Sequence, residues 1–309
     1  MAVSDPSRAG AARLSVMVFP GTQTLPLYAA QAQGFFGKRG LAVDLHNAPD
    51  SAEQRRGLAE GRYQIAHGAA DQAVAMADAG WGDAVIVMGG DNGFNRLFVQ
   101  PEIGSLADLR GKTIAADAVS TGWSFVLYRI LRQHGLERSD YTVHEVGAPY
   151  RRFEAMRGGA HMAAAILNPP FAIHARRAGL KDMGAVVDTI GPYLGTVPYV
   201  LRTWAQANAD MLARYLAACI EGLRWSLDLA NQSAAEALYA ERLNVPADIA
   251  AQLYAAAADP AQGFARDAEF DPDGFKNVLA LRAEFEGGTA ASPEKYVDLS
   301  YYRRALATV

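Results

Sequence analysis

LSVMVFPGTQTLPLYAAQAQGFFGKRGLAVDLH, residues 14–46, sets two short runs rich in Val and Leu (14–19 and 41–46) on either side of a helical pattern over 25–36. The β-α-β rhythm continues with a helical pattern at 52–60, a short strand at 63–66, a helix at 71–79 and the apolar run 84–88. Runs this apolar suit strands covered on both faces, so an α/β fold with a buried parallel sheet is expected. Such sheets bind ligands beyond the carboxyl ends of their strands.

A second β/α series follows Asn95, with strand patterns at 97–100, 113–116, 141–146 and 163–167 and a long helix at 121–134. After residue 200 the pattern changes to Ala/Leu-rich helices (207–229, 234–243, 247–257, 275–285) punctuated by Pro246, Pro260 and Pro272. Helices alone add no sheet, so this segment is expected to pack back on the first lobe. The expected organisation is a discontinuous lobe I (14–94 plus 200–309), an inserted lobe II (95–199) and a flexible N-terminus (1–13). Two chain crossings, near Gly93 and Tyr199, would form a hinge.

The 309 residues, half of them hydrophobic, suffice for about two domains. A net charge of −4 with no Lys/Arg run argues against nucleic acid or an anionic membrane surface as partner. Apolar stretches are far shorter than the ~20 residues that cross a bilayer, so no membrane insertion is expected. Cys219 is the single cysteine; it forms no intramolecular disulfide and suits a helix core. Six histidines show no metal spacing. The run Gly89-Gly90-Asp91-Asn92-Gly93-Phe94 lacks both the P-loop ending and the dinucleotide glycine spacing, so no nucleotide cofactor is expected. Residues 1–13 lack the cationic and apolar regions of a secretory signal. A periplasmic or lipid-anchored location therefore requires a signal already removed, whereas Met1 as native start implies the cytoplasm. A monomer is expected.

Three motifs carry a family likeness. They are Leu27-Tyr28-Ala29-Ala30 with Gly34-Phe35-Phe36-Gly37-Lys38-Arg39-Gly40-Leu41, then Leu106-Ala107-Asp108-Leu109-Arg110-Gly111-Lys112-Thr113, and Pro293-Glu294-Lys295-Tyr296-Val297-Asp298-Leu299. Together they resemble the substrate-binding proteins of nitrate, sulfonate and taurine ABC importers, a group that includes receptors for thiamine-pyrimidine precursors. The resemblance implies a two-lobed, type II periplasmic-binding-protein-like α/β fold. Each lobe is a sheet flanked by helices, with the C-terminal helices an extension of lobe I. It also implies capture of a small organic ligand between the lobes and delivery to an ABC permease. Relatives of this architecture include desulfinases and decarboxylases, and a cytoplasmic enzyme or a ligand sensor on the same fold is the alternative.

Candidate ligand contacts follow from loop position. After the first strand come Thr22, Gln23 and Thr24, with donors and acceptors, although Thr24 equally suits a helix cap. His67 and Asp71 flank the next strand-to-helix junction, where His67 also reads as a core histidine and Asp71 as a cap. Asp91 and Asn92 lie at the first crossing. Ser120, Thr121 and Trp123 open the long lobe II helix, whose N-terminus is the favoured anion site. In Tyr150-Arg151-Arg152, Arg151 is chosen to clamp an acid group. Asn168 and Phe171 follow the 163–167 strand. Asp71, Asp91 and Asp117 beside few cations disfavour an inorganic anion. A sulfonate, aromatic acid or aminopyrimidine-like ligand remains, the larger aromatic and aminopyrimidine bodies fitting best. His67 with Asp71 or Asp91 is the one acid–base pair open to an enzyme.

Overall fold

The computed structural model describes residues 10–159, 161–287 and 291–309. In chain order the strands are β1 (Ala12–Val18), β2 (Leu41–Asn47), β3 (Ile65–Ala69), β4 (Ala84–Ile86) and β5 (Arg96–Val99). They continue with β6 (Thr113–Ala116), β7 (Thr142–Glu145), β8 (Ala164–Leu167), β9 (Lys181–Ala185) and β10 (Thr196–Leu201). They form two five-stranded sheets, β2-β1-β3-β10-β4 and β7-β6-β8-β5-β9. The opening βαβ unit is as expected: β1 pairs in parallel with both β2 and β3, Val16 lying opposite Leu45 and Ile65.

One strand in each sheet runs against its neighbours. β10 is antiparallel to β3 and β4, and β5 is antiparallel to β8 and β9. The direction follows from the crossings. A chain leaving β4 enters the second lobe from the cleft side, and β10 re-enters the first lobe from that same side. Each must therefore run from the carboxyl ends of its parallel neighbours toward their amino ends.

Three boundaries differ from the sequence-based expectation. The return crossing precedes Thr196, so residues 196–199, expected in lobe II, belong to the first sheet. Pro198 hides this strand, because proline gives no ladder donor. The Pro198 carbonyl still accepts from Val87 N at 3.1 Å, so the pairing with the β4 segment continues through it. Second, Ala12 and Arg13 already pair with Leu41 and Ala42, whereas a flexible segment was expected to 13; residues 1–9 lie outside the described residues. Third, the C-terminal helices touch both lobes. Helix Pro272–Glu286 is bound to helix Gly122–Gln133 of lobe II by Glu284, which meets Arg129 and, at 2.8 Å, Arg132. Ile173 of lobe II packs into the cluster of helix Ala247–Ala257. Among the described residues no helix is long and apolar enough to cross a membrane.

The largest apolar cluster is continuous through both lobes, from Ala66 and Ile86 of the first sheet to Ile114 and Ile166 of the second, with Tyr193, Phe275 and Tyr296 between. The crossings are tied together by Asp91. Its carboxylate accepts from Gly93 N at 2.9 Å and from Thr196 N at 3.1 Å, one bond within each crossing region.

Candidate ligand-binding cleft

Between the carboxyl ends of the two sets of parallel strands lies a cavity of about 60 Å³. One water needs ~10–15 Å³ by this measure, so there is room for a small organic molecule's core. Phe19, Gln23, Ser51, Ala69, Gln72, Asp91 and Thr196 line it from the first lobe and its crossing, and Phe94, Asn95, Asp117, Trp123, Pro149, Arg152 and Asn168 from the far side. Its mouth is a wider groove that shares Ser51 and Asp117 with the cavity and carries Asp50, Glu53, Glu145 and Arg151.

Three polar groups in the cavity are incompletely paired. Both carboxylate oxygens of Asp117, Nε of Arg152 and Oδ1 of Asn168 are buried without a hydrogen-bond partner among the described residues. Native proteins pair nearly all such groups, and each one left open costs of order 1–3 kcal/mol, so convergence of three on one space marks a place for polar atoms that arrive from outside. Burial pushes the Arg152 guanidinium down to about 10, with Asp117 acting the other way, so it stays a cation at neutral pH. Burial raises Asp91 to about 6, against the lowering effect of the Gly93 and Thr196 N–H groups. The apolar walls are Phe19, Phe94 and Trp123, the last held by Tyr193 with ring centroids 4.9 Å apart.

Of the residues singled out from sequence, Gln23, Asp91, Trp123 and Asn168 line this cavity. Gln23 and Asn168 meet across the lobes: Asn168 Nδ2 donates to Gln23 Oε1 at 3.1 Å, and Gln23 Nε2 donates to the Phe19 carbonyl at 2.8 Å. The others are placed elsewhere. Thr22 N donates to the Pro169 carbonyl, and Thr24 Oγ1 donates to that of Phe19. Asn92 N donates to Gly263 O, Ser120 is exposed, and Thr121 shares a hydrogen bond with Ser124. Phe171 packs on Tyr150 and Phe153.

The helix N-terminus favoured as an anion site already holds an anion of the protein's own. Asp71 Oδ2 accepts from Gly122 N at 2.7 Å while its Oδ1 accepts from Arg282 at 2.7 Å. A side-chain carboxylate from lobe I thus satisfies the partial positive charge of the lobe II helix. His67 is a core histidine, with Nε2 2.8 Å from the Tyr215 hydroxyl and its pKa pushed down to about 3 by burial, hence neutral. It bonds neither Asp71 nor Asp91, so the acid–base pair considered from sequence does not form.

The cleft arginine is Arg152, whereas Arg151 was expected. Arg151 is exposed and bonds the Tyr150 hydroxyl. Helix Pro149–Arg157 buries Arg152, Phe153 and Met156, and this was legible: Phe153 and Met156 define the inward face at helical spacing, and residue 152 falls beside them. Asp117, Ser51 and Gln72 also lay at strand or helix ends where a ligand contact could have been assigned. Thr196 had no such signal, because Pro198 concealed its strand. Among the described residues no three His, Cys, Asp or Glu side chains converge as metal ligands.

Residues 21–232 match the family model described as NMT1/THI5 like. No curated protein matches the chain in sequence. Among solved structures, a Bordetella bronchiseptica protein superposes with a TM-score of 0.80 at 21% identity, covering 96% of this chain and 98% of that one. The periplasmic nitrate-binding protein of Synechocystis gives 0.80 at 14% identity over 97% and 89% of the two chains. The alkanesulfonate-binding protein of Xanthomonas axonopodis, bound to MOPS, gives 0.74 at 15% over 95% and 97%. The shared architecture is the two-lobed periplasmic binding protein fold expected from the sequence.

Proposed function

The chain belongs to the NMT1/THI5-like family, and from that premise we propose that it is the solute-binding receptor of an ABC importer, working outside the cytoplasmic membrane. It captures a small, flat, net-neutral heterocycle of the aminopyrimidine kind in the inter-lobe cavity and presents it to a permease. The observation that carries this reading is the convergence of Asp117, Arg152 and Asn168, each with an unpaired buried atom, on one cavity walled by Phe19, Phe94 and Trp123. An amine facing Asp117 and a ring nitrogen facing Arg152 would complete both. A free nitrate or sulfonate would satisfy Arg152 while crowding Asp117 and Asp91 with a further negative charge.

A thermal-shift panel of aminopyrimidines, aromatic acids, alkyl sulfonates, amines and nitrate tests this. An aminopyrimidine at 100 times its dissociation constant should add roughly 2.7 kcal/mol of stability. The reading fails if only anions stabilise the protein, or if mass spectrometry finds the best hit chemically converted.

Gly21 offers a second check. A Cβ there would lie 2.6 Å from Gln23 Oε1 and 2.7 Å from Asn168 Nδ2, so Gly21→Ala must part the amides that meet across the cleft. Loss of one hydrogen bond predicts about a tenfold weaker Kd for the best panel compound by calorimetry; an unchanged Kd would remove the Gln23–Asn168 contact from the binding site.

A further inference from the structure

Behind the cleft, inside the first lobe, is a second space of about 30 Å³. Its walls are largely apolar: Pro26, Leu27, Met88, Pro198, Leu223 and Phe264. Two polar side chains reach it besides those at its front. His67 is neutral and already hydrogen-bonded to Tyr215, and burial raises the Cys219 thiol so that it too is uncharged. Apolar cavities of this kind hold no ordered water, for want of polar partners.

Gln23 and Thr196 line this chamber and the cleft alike. The Gln23 side chain is the partition, and its hydrogen bonds run to the Phe19 carbonyl and to Asn168. Asn168 itself lines the cleft. Asn168 makes that bond through Nδ2 and leaves Oδ1 open to the cleft, so a ligand bonded to Oδ1 shares the amide that anchors the partition, and occupation of the cleft and access to the chamber are coupled.

We infer that the chamber is a tail pocket: the ligand held by Asp117 and Arg152 carries a short unbranched apolar substituent of about two to three carbons, which passes Gln23 and lies against Leu27, Leu223 and Phe264. The inference rests on the proposed cleft function and narrows its ligand class. A charged end is disfavoured, because the chamber would desolvate it among mostly apolar side chains.

Two measurements test it. In crystals under xenon pressure, xenon should occupy the space among Leu27, Leu223 and Phe264; a chamber that stays empty of xenon, or contains ordered water, overturns the tail pocket. In calorimetry with 2-aminopyrimidine bearing hydrogen, methyl, ethyl, propyl or butyl at ring position 5, Kd should fall about fourfold per carbon as far as the propyl compound and rise again at butyl. Leu223→Phe, which fills the chamber, should flatten that series. If all members bind equally, the tail pocket is wrong and the cleft reading stands. If none binds, the cleft reading fails and the tail pocket with it.

Discussion

Arg282→Met is expected to cost about 3–5 kcal/mol of folding stability, the usual penalty for removing one partner of a buried ion pair. Asp71 has no exposed side-chain surface and Arg282 only 9%. The pair joins three parts of the chain: Asp71 sits in the first turn of helix Ala70–Asp78, Arg282 comes from helix Pro272–Glu286, and the second oxygen of Asp71 takes Gly122 N of lobe II. Without the guanidinium, Asp71 remains as a desolvated carboxylate with one hydrogen bond. The close approach needs glycine at 122, since a Cβ there would stand 2.6 Å from that of Asp71. Urea denaturation measures the loss, and the double variant Asp71→Asn/Arg282→Met should recover much of it, because the stranded charge is gone. A double variant as unstable as the sum of the two single variants would mean that packing, not charge, holds this junction.

The second large effect concerns binding. Arg152→Met is expected to weaken the best ligand of the panel by about 30- to 1,000-fold, equivalent to ~2–4 kcal/mol. The substitution removes the only cation among the described residues lining the cavity and leaves Asp117 facing the ligand alone. Arg151→Met, one position away on the exposed face of the same helix, should change affinity less than twofold. Calorimetry on the two variants separates a cleft role from general surface charge. Equal losses for both would point to long-range steering, and no loss for Arg152→Met would dismiss the charged edge of the site.

The two lobes are joined by Asp71 at the lobe II helix, by Gln23 and Asn168 across the cavity, and by Glu284 against Arg129 and Arg132. The first of these uses the helix N-terminus that a ligand anion would otherwise occupy. The remaining polar demand in the cleft falls on Asp117, Arg152 and Asn168, which is why the ligand read from the geometry has both donor and acceptor edges.

Much of the architecture was legible from residues alone. Short apolar runs and helical patterns at 14–46 and after Asn95 are local signals, since burial of a strand or a helix face imposes its pattern on nearby side chains. The family likeness of the segments around Gly34, Gly111 and Tyr296 is local in the same sense. What local pattern could not supply was which loop ends face each other. Asp71 sits as far as 211 residues from Arg282 in sequence yet is paired with it, and whether it met a ligand or an arginine depended on where the last long helix came to rest. The choice between Arg151 and Arg152 turned on a step of about 100° around one helix, and the return strand was masked by Pro198, whose missing N–H reads locally as a break although its carbonyl still bonds Val87 N. Sequence determined the layers, the two-lobed plan and the region of the cleft. Tertiary structure alone decided which polar atoms the protein satisfies for itself and which it leaves open, because hydrogen bonding and desolvation depend on neighbours that only the folded chain brings together.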